Sequence, residues 1–305
     1  MAKKQKTDSQ FMHLELYSRA GNESKTSLDG VVGEALRLEG FISHLLDEGL
    51  VPEPPTYLYS QGNKTLEQHS DELVAQVETE KDSLGRRIKT DKNVLLAGVA
   101  SYPKPRLADN WTDEDRVNYQ EFKNQSIVFL QKKWGDDLLC VLEHTDEEYL
   151  HFHFYVTNKT RIASTPELHP GQAENIRLEN EAKIAGVAVN KKEQVAAYKT
   201  AMQKFQDEYF EQVSVYCGLD RLGPKVQRLN RKEWKERKRV NKKIAEVIRA
   251  TRSTAETAIR QQAQLETQLN LLAGMDDLAL AKFIRENHSQ IIDEFNTMKI
   301  SKPKV

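Results

Sequence analysis

The sequence predicts an α+β protein with an antiparallel hairpin and a long helical C-terminal region. Three observations predict it. FMHLELYS, residues 11–18, alternates apolar and polar residues as a strand does. The apolar run DLLCVLEH and the alternating LHFHFYVTN are separated by only a few residues, the spacing of two antiparallel strands joined by a tight turn. From residue 193 onward the apolar positions recur at helical spacing almost to the end of the chain.

With 305 residues the chain is long enough for one large domain plus an appendage, or for two domains. Hydrophobic residues make up 38% and charged residues 30%, a low apolar share that implies some elongated, solvated helix. The net charge of −1 names no partner, so the distribution of charge carries the information. The expected organisation is a disordered basic tail over 1–10, a main domain over 11–228 and a basic helical region over 229–305. Cys140 and Cys217 lack metal-ligand spacing, and the basic N-terminus has no apolar run after it. The expectation is a reduced, cytoplasmic protein without membrane insertion.

The elements follow in order. AGNESKTS reads as a loop, with Ser24, Thr26 and Ser27 as candidate helix caps. LDGVVGEALRLEGFISHLL has helical spacing through Val31, Val32, Ala35, Leu36 and Leu38. The three prolines of EGLVPEPPTYLYS exclude a regular helix, and TYLYS suits a short strand. Residues 65–90 have helical periodicity through Leu66, Leu73, Val74, Val77 and Leu84. NVLLAGVASY is a strand ended by Pro103-Lys104-Pro105. Thr112 with its acidic followers opens a helix, and Gly135 closes it. DLLCVLEH is apolar on both faces, which suits an interior strand. Residues 159–190 read as loop with a short helix near 172–184. The helix over 193–217 carries Val195, Tyr198, Met202, Phe205, Tyr209 and Val213 on one stripe, and Gly218 ends it. Further on, Ile244, Val247, Ile248, Ile259, Leu265, Leu269 and Leu272 form an imperfect stripe. Leu278, Leu280, Phe283, Ile284, Ile291, Ile292 and Phe295 mark a last helix. These two helices suit a helical hairpin or a homodimer.

The stretch HTDEEYLHFHFYV carries the chemistry. Residues two apart on a strand share a face, so His151, His153 and Tyr155 point one way and Phe152, Phe154 and Val156 the other. Pairing the two strands brings His144 beside His151, with Asp146 and Glu147 in the turn. Three neutral imidazoles with open positions suit a catalytic divalent ion: Mn²⁺, Zn²⁺, Co²⁺ or Ni²⁺. A nearby carboxylate orients a ligand or acts as a base. A lone H-x-H on a strand is a weak signal; the third histidine and the acidic turn strengthen it. The bland alternative is a hairpin with a solvated polar face. H-E-x-x-H is absent, which argues against a metalloprotease.

The second chemical feature is charge. Residues 225–252 hold twelve Lys or Arg against three Glu. The cations are Lys225, Arg228, Arg231, Lys232, Lys235, Arg237, Lys238, Arg239, Lys242, Lys243, Arg249 and Arg252. Read from the sequence most are unpaired, and such density suits salt-sensitive contact with DNA phosphates. Trp234 suits base stacking or packing. The alternative is an ordinary solvated helix face.

His144-x-Asp146-Glu147-x-x-x-His151-x-His153 resembles the third motif, H-x-D-E-x-T-P-H-x-H, of the MobV (Mob/Pre) plasmid mobilization relaxases, which are metal-dependent HUH endonucleases. Tyr149-Leu150 stands where the family has Thr-Pro, and the family's first and second motifs are not placed. FKNQSIVFLQKKWGDDLLCVLEHTDEEYLHFHFYV, FQDEYFEQVSVYCGLDRLGPKV, HLELYSRAGN and PPTYLY extend the resemblance over about residues 11–240. It implies an HUH fold, a central antiparallel sheet flanked by helices. It implies a divalent ion on His144, His151 and His153, Mn²⁺ first, with Mg²⁺ also allowed. It implies site- and strand-specific nicking of single-stranded or hairpin DNA at an origin of transfer, through a covalent 5′-phosphate intermediate. Conjugation coupling machinery is an implied partner. Glu147, then Asp146, is the candidate for orienting or deprotonating. The family's nucleophile is a histidine in an N-terminal loop, for which His44 is the first candidate. Tyr59 and His69 come next, Tyr17, Tyr57 and Tyr155 follow, and His13 is expected to face the sheet instead. Two alternatives stand beside this: a non-catalytic metal- and DNA-binding protein on the same fold, and an HUH nuclease of rolling-circle replication or transposition.

Overall fold

The computed structural model describes residues 9–23, 25–82, 84–107, 111–223, 231–273 and 282. The expected basic tail over 1–10 lies almost wholly outside them, as do Lys225, Arg228 and all of the expected last helix but Lys282. The chain divides into two compact units, Met1–Glu246 and Val247–Val305, so the division falls inside the last described helix and not at its start. The first unit is an α+β fold around a five-stranded antiparallel sheet of order β1-β3-β5-β4-β2. The strands are β1 (Phe11–Ser18), β2 (Thr56–Ser60), β3 (Asn93–Pro105), β4 (Leu138–His144) and β5 (Tyr149–Val156).

Both faces of the sheet are covered. On one face, α4 (Asp113–Trp134) and α6 (Lys191–Gln212) bury Phe122, Phe129, Phe205 and Tyr209 against Phe152, Phe154, Leu96 and Leu16. On the other, α1 (Leu28–Ala35) and α3 (Leu66–Thr79) bury Leu28, Val32, Leu66 and Leu73 against Leu95, Cys140, Leu142 and Tyr155. The alternation of β5 therefore sends its phenylalanines to the α4/α6 core and its histidines to the α1/α3 face. β5 is the middle strand, flanked by β3 and β4, and β4 is interior as its apolar composition predicts.

Local chemistry explains most helix ends. Ser27 caps α1, and Thr65 and Thr112 form capping boxes for α3 and α4. Gly135 (φ 50°) follows α4, and Gly218 (φ 67°) follows α6 after a short 3-10 turn. The periodic run 28–46 is not one helix. It stops at Ala35, Arg37 turns with φ 57°, and a five-residue helix α2 (Ser43–Asp47) follows. α3 ends at Thr79, so Leu84 lies on an exposed loop. β3 continues to Pro105, where it pairs with Tyr149. The helix expected near 172–184 is α5 (Pro170–Ala185), longer by two residues at its start and one at its end, and part of the loop before it is a 3-10 segment, Ile162–Leu168. His169 caps α5, Pro170 opens it and Gly186 closes it in the left-handed region, a complete set of stop and start signals. Helix α7 (Arg231–Ala273) spans 43 residues, and its residues up to Glu246 belong to the first unit. No helix among the described residues is long and apolar enough to cross a membrane.

Candidate metal centre

The β4–β5 hairpin pairs His144 with His151 directly, as the alternation predicts. His153 follows two residues along on the same face. The three ring centroids lie 4.8–5.3 Å apart. One nitrogen of each ring lies within 4.8 Å of the others. Around one ion at about 2.1 Å such nitrogens stand roughly 3–3.4 Å apart, so the rings need to close by about an ångström.

The hydrogen bonds assign the lone pairs. His144 Nε2 lies 2.8 Å from the Ala35 carbonyl oxygen. A carbonyl only accepts, so Nε2 carries the proton and Nδ1 the lone pair. Buried Nδ1 of His144 has no hydrogen-bond partner among the described residues. His151 Nδ1 lies 2.9 Å from the Tyr149 carbonyl oxygen, which leaves the lone pair on Nε2. Burial lowers the His144 pKa to about 4, with the Arg37 charge adding to it. Burial also holds His153 well below the usual histidine value, helped by the neighbouring imidazoles. For His144 and His153 this favours neutral rings, the form a metal requires. The donor set and the orphaned Nδ1 fit a divalent ion.

The acidic turn is held by a residue that sequence reading missed. Arg37 donates from Nε and Nη2 to the two Asp146 carboxylate oxygens at 2.8 and 2.7 Å. Its Nη2 also donates to Glu147 Oε1 at 2.9 Å. The Arg37 and Asp146 side chains are only 3% and 0% exposed. Burial alone would raise the Asp146 pKa, but the Arg37 hydrogen bonds and the Glu53 backbone N–H outweigh it and lower it. Both oxygens of Asp146 are thus committed to holding the turn, and of the two acidic candidates Glu147 stands at the histidines. Its Oε1 lies 3.5 Å from His151 Nε2.

The candidate nucleophiles separate by position. A cavity beside the histidines is lined by His13, Glu15, Tyr17, Glu34, His144 and His153 among others. β1 delivers the first three: His13 is in register with Val99, and Val99 with His153. Two strand spacings of about 4.8 Å therefore separate His13 from His153. His44 is not among the lining residues. It sits exposed on α2, whose one buried residue is Leu45. Tyr59 is on the wrong face: a register shift between Tyr57 and Tyr59 pairs it with Val141, and it packs against the α4/α6 core. Tyr57, on the histidine face, uses its hydroxyl to accept from the Leu66 backbone at the start of α3. His69 is buried on α3, and burial lowers its pKa; it does not line the cavity. Tyr155 lies at the cavity wall but is fully buried. Burial, with the charges of Glu15 and Glu34, pushes the Tyr17 hydroxyl up to about 12.

The basic stretch differs from its sequence reading in one respect. Arg237 pairs with Asp220, Lys242 with Glu114 and Arg239 with Glu236. Lys232 and Lys238 also engage partners. Most of the described cations of 231–243 are therefore paired, because the helix lies against acidic residues of the first unit and carries its own Glu236. Lys232, Lys235 and Lys243 are exposed to solvent. The side chains of Arg231 and Trp234 lie outside the described set.

Comparison of the chain with models of known protein families, with curated proteins and with solved structures gives no match.

Proposed function

We propose that this protein is a metal-dependent, strand-specific DNA-nicking enzyme of the relaxase kind, acting at an origin of transfer of a plasmid or other mobile element. The observation that carries the reading is the three-imidazole group on one face of an antiparallel sheet, with the Glu147 carboxylate 3.5 Å from His151. His144, His151 and His153 would hold the ion, through Nδ1 of the first and Nε2 of the second. A bound divalent ion supplies polarisation of the scissile phosphate and offsets the charge that develops on it.

The chain's own residues do the rest. A side-chain nucleophile attacks phosphorus, the P–O3′ bond breaks, and the 3′ oxygen leaves with a proton. The 5′ phosphate stays on the protein, and the reverse reaction rejoins the strand. His13 and Tyr17 are the nucleophiles this reading favours, and their lining of the cavity with His144 and His153 supports the choice. Tyr17, at about 12, is protonated at neutral pH and needs a proton acceptor; Glu15 stands two residues away on the same face. The cations of α7 supply phosphate contacts that do not read sequence. A cytoplasmic setting, a homodimer through the C-terminal helices and a coupling partner in conjugation belong to the same reading.

The test is a cleavage assay with Mn²⁺ on single-stranded DNA from the region upstream of the gene, followed by mass spectrometry of the protein. A 5′-phosphate adduct on His13 or Tyr17 supports the reading. An adduct elsewhere keeps the activity and rejects the nucleophile. One observation favours a second reading, a metal- and DNA-binding protein that does not cut: His44, Tyr59 and His69 all lie away from the cavity. Stoichiometric metal with no cleavage on any substrate would select it.

A further inference from the structure

We propose that Arg37 is a positioning residue of the metal centre, which aims the Glu147 carboxylate at the ion held by His144, His151 and His153. This rests on the metal-centre reading and adds a control element to it.

The first argument is position. His151 Nδ1 lies 2.9 Å from the Tyr149 carbonyl oxygen, so Nε2 is the ring nitrogen left to face outward. Glu147 Oε1 lies 3.5 Å from that Nε2. Glu147 does not drift there by chance, because its Oε1 is the atom that Arg37 Nη2 holds at 2.9 Å. One oxygen thus lies between a buried guanidinium and the ligand face.

The second argument is the construction of Arg37 itself. Its fork serves three acceptors in fixed directions: Asp146 twice, Glu147, and the Glu34 carbonyl at 3.3 Å. A lysine ammonium offers no such planar set. To place the fork there, the chain adopts φ 57° at a non-glycine residue. The same turn follows Ala35, whose carbonyl sets the His144 tautomer. The end of α1 therefore governs two ligand histidines: His144 through a backbone carbonyl, and His151 through Arg37 and Glu147.

Co²⁺ titration of the full chain tests this, with affinity and the visible ligand-field spectrum as readouts and circular dichroism of the apo forms as the folding check. Removal of an outer partner of a metal ligand typically weakens affinity by about 10- to 100-fold. Arg37→Lys is expected to weaken Co²⁺ binding by about that factor and to change the spectrum. Glu147→Gln, which leaves the Arg37–Asp146 contact intact, is expected to do the same with unchanged folding. Because both act on one path, the double variant should bind little more weakly than either single. Wild-type affinity and spectrum in folded Arg37→Lys would overturn the proposal. So would effects that simply add in the double variant. Should Arg37→Lys fail to fold, normal binding by Glu147→Gln still overturns it. A wild-type chain that binds no Co²⁺ would reject the metal centre itself, a distinct result.

Discussion

Replacing Arg37 with methionine leaves a buried carboxylate without its counter-ion, and the cost follows from the bonds it makes. Three charge-assisted hydrogen bonds disappear, two to Asp146 and one to Glu147. Hydrogen bonds to charged groups contribute about 1.5–3 kcal/mol each. Glu147 is half-exposed and is rehydrated by water, while Asp146 keeps, among the described residues, the Glu53 N–H at 3.2 Å. Breaking a buried pair from one side typically costs about 3–5 kcal/mol, and that is the expected destabilisation at neutral pH. The penalty should depend on pH. In the wild-type chain the lowered Asp146 pKa gives stability that is present above the unfolded value near 3.9 and lost as pH falls through the folded one. In the variant burial dominates and the pKa rises, so the difference between the two proteins shrinks as acid protonates Asp146. Urea unfolding followed by tryptophan fluorescence reads this directly, since Trp111, Trp134 and Trp234 all lie in the first unit. Arg37→Met with Asp146→Leu should restore most of the stability, because no charge is then left buried. A single-variant cost below about 1 kcal/mol, or a double variant no more stable than the single, would refute this account of the turn.

Other outcomes are equally specific. Gly98→Ala should destabilise by about 1–3 kcal/mol in the same urea assay, because an added Cβ would meet the Phe154 ring at 2.1 Å; an unchanged midpoint would contradict the packing of β3 on β5. His169, buried at the start of α5, has a pKa lowered to about 4 by burial. Its contribution is complete above the unfolded value near 6.5 and is lost as pH falls toward 4, by roughly 3 kcal/mol at most. His169→Asn keeps a capping acceptor and should flatten the stability profile between those values. Neutralising Lys232, Lys235, Lys238 and Lys243 to glutamine should reduce the salt slope of single-stranded DNA binding by about 0.7 for each phosphate no longer neutralised. An unchanged slope would remove this helix from the DNA interface.

Much of this arrangement is legible in the sequence, and the missing parts have a common cause. The alternation of LHFHFYV and the short turn suffice to place His144, His151 and His153 together, because strand period and hairpin pairing are local. Arg37 is invisible to the same reading. Its hydrogen bonds span 109 and 110 residues, and the apolar spacing runs on past the point where α1 stops. The sheet order is equally non-local. Placing β1 beside β3, and β3 beside β5, is what brings His13 and Tyr17 to the cavity and leaves His44 outside it. A single irregularity in β2 turns Tyr59 away from the histidines, since one slipped residue moves a side chain to the other face. Helix α5 is read at 172–184 within its true span, Pro170–Ala185, whose ends carry His169, Pro170 and Gly186 as signals. The pairing of Arg237 and Lys242 depends on Asp220 and Glu114, which composition cannot place beside them.

The metal centre is tested most directly by titrating Mn²⁺ into the wild-type chain and into His151→Ala/His153→Ala by calorimetry. The expected result is one ion per wild-type chain and none in the double variant, with the fold of both intact by circular dichroism. Absence of binding in the wild type, or equal binding in the variant, would contradict it.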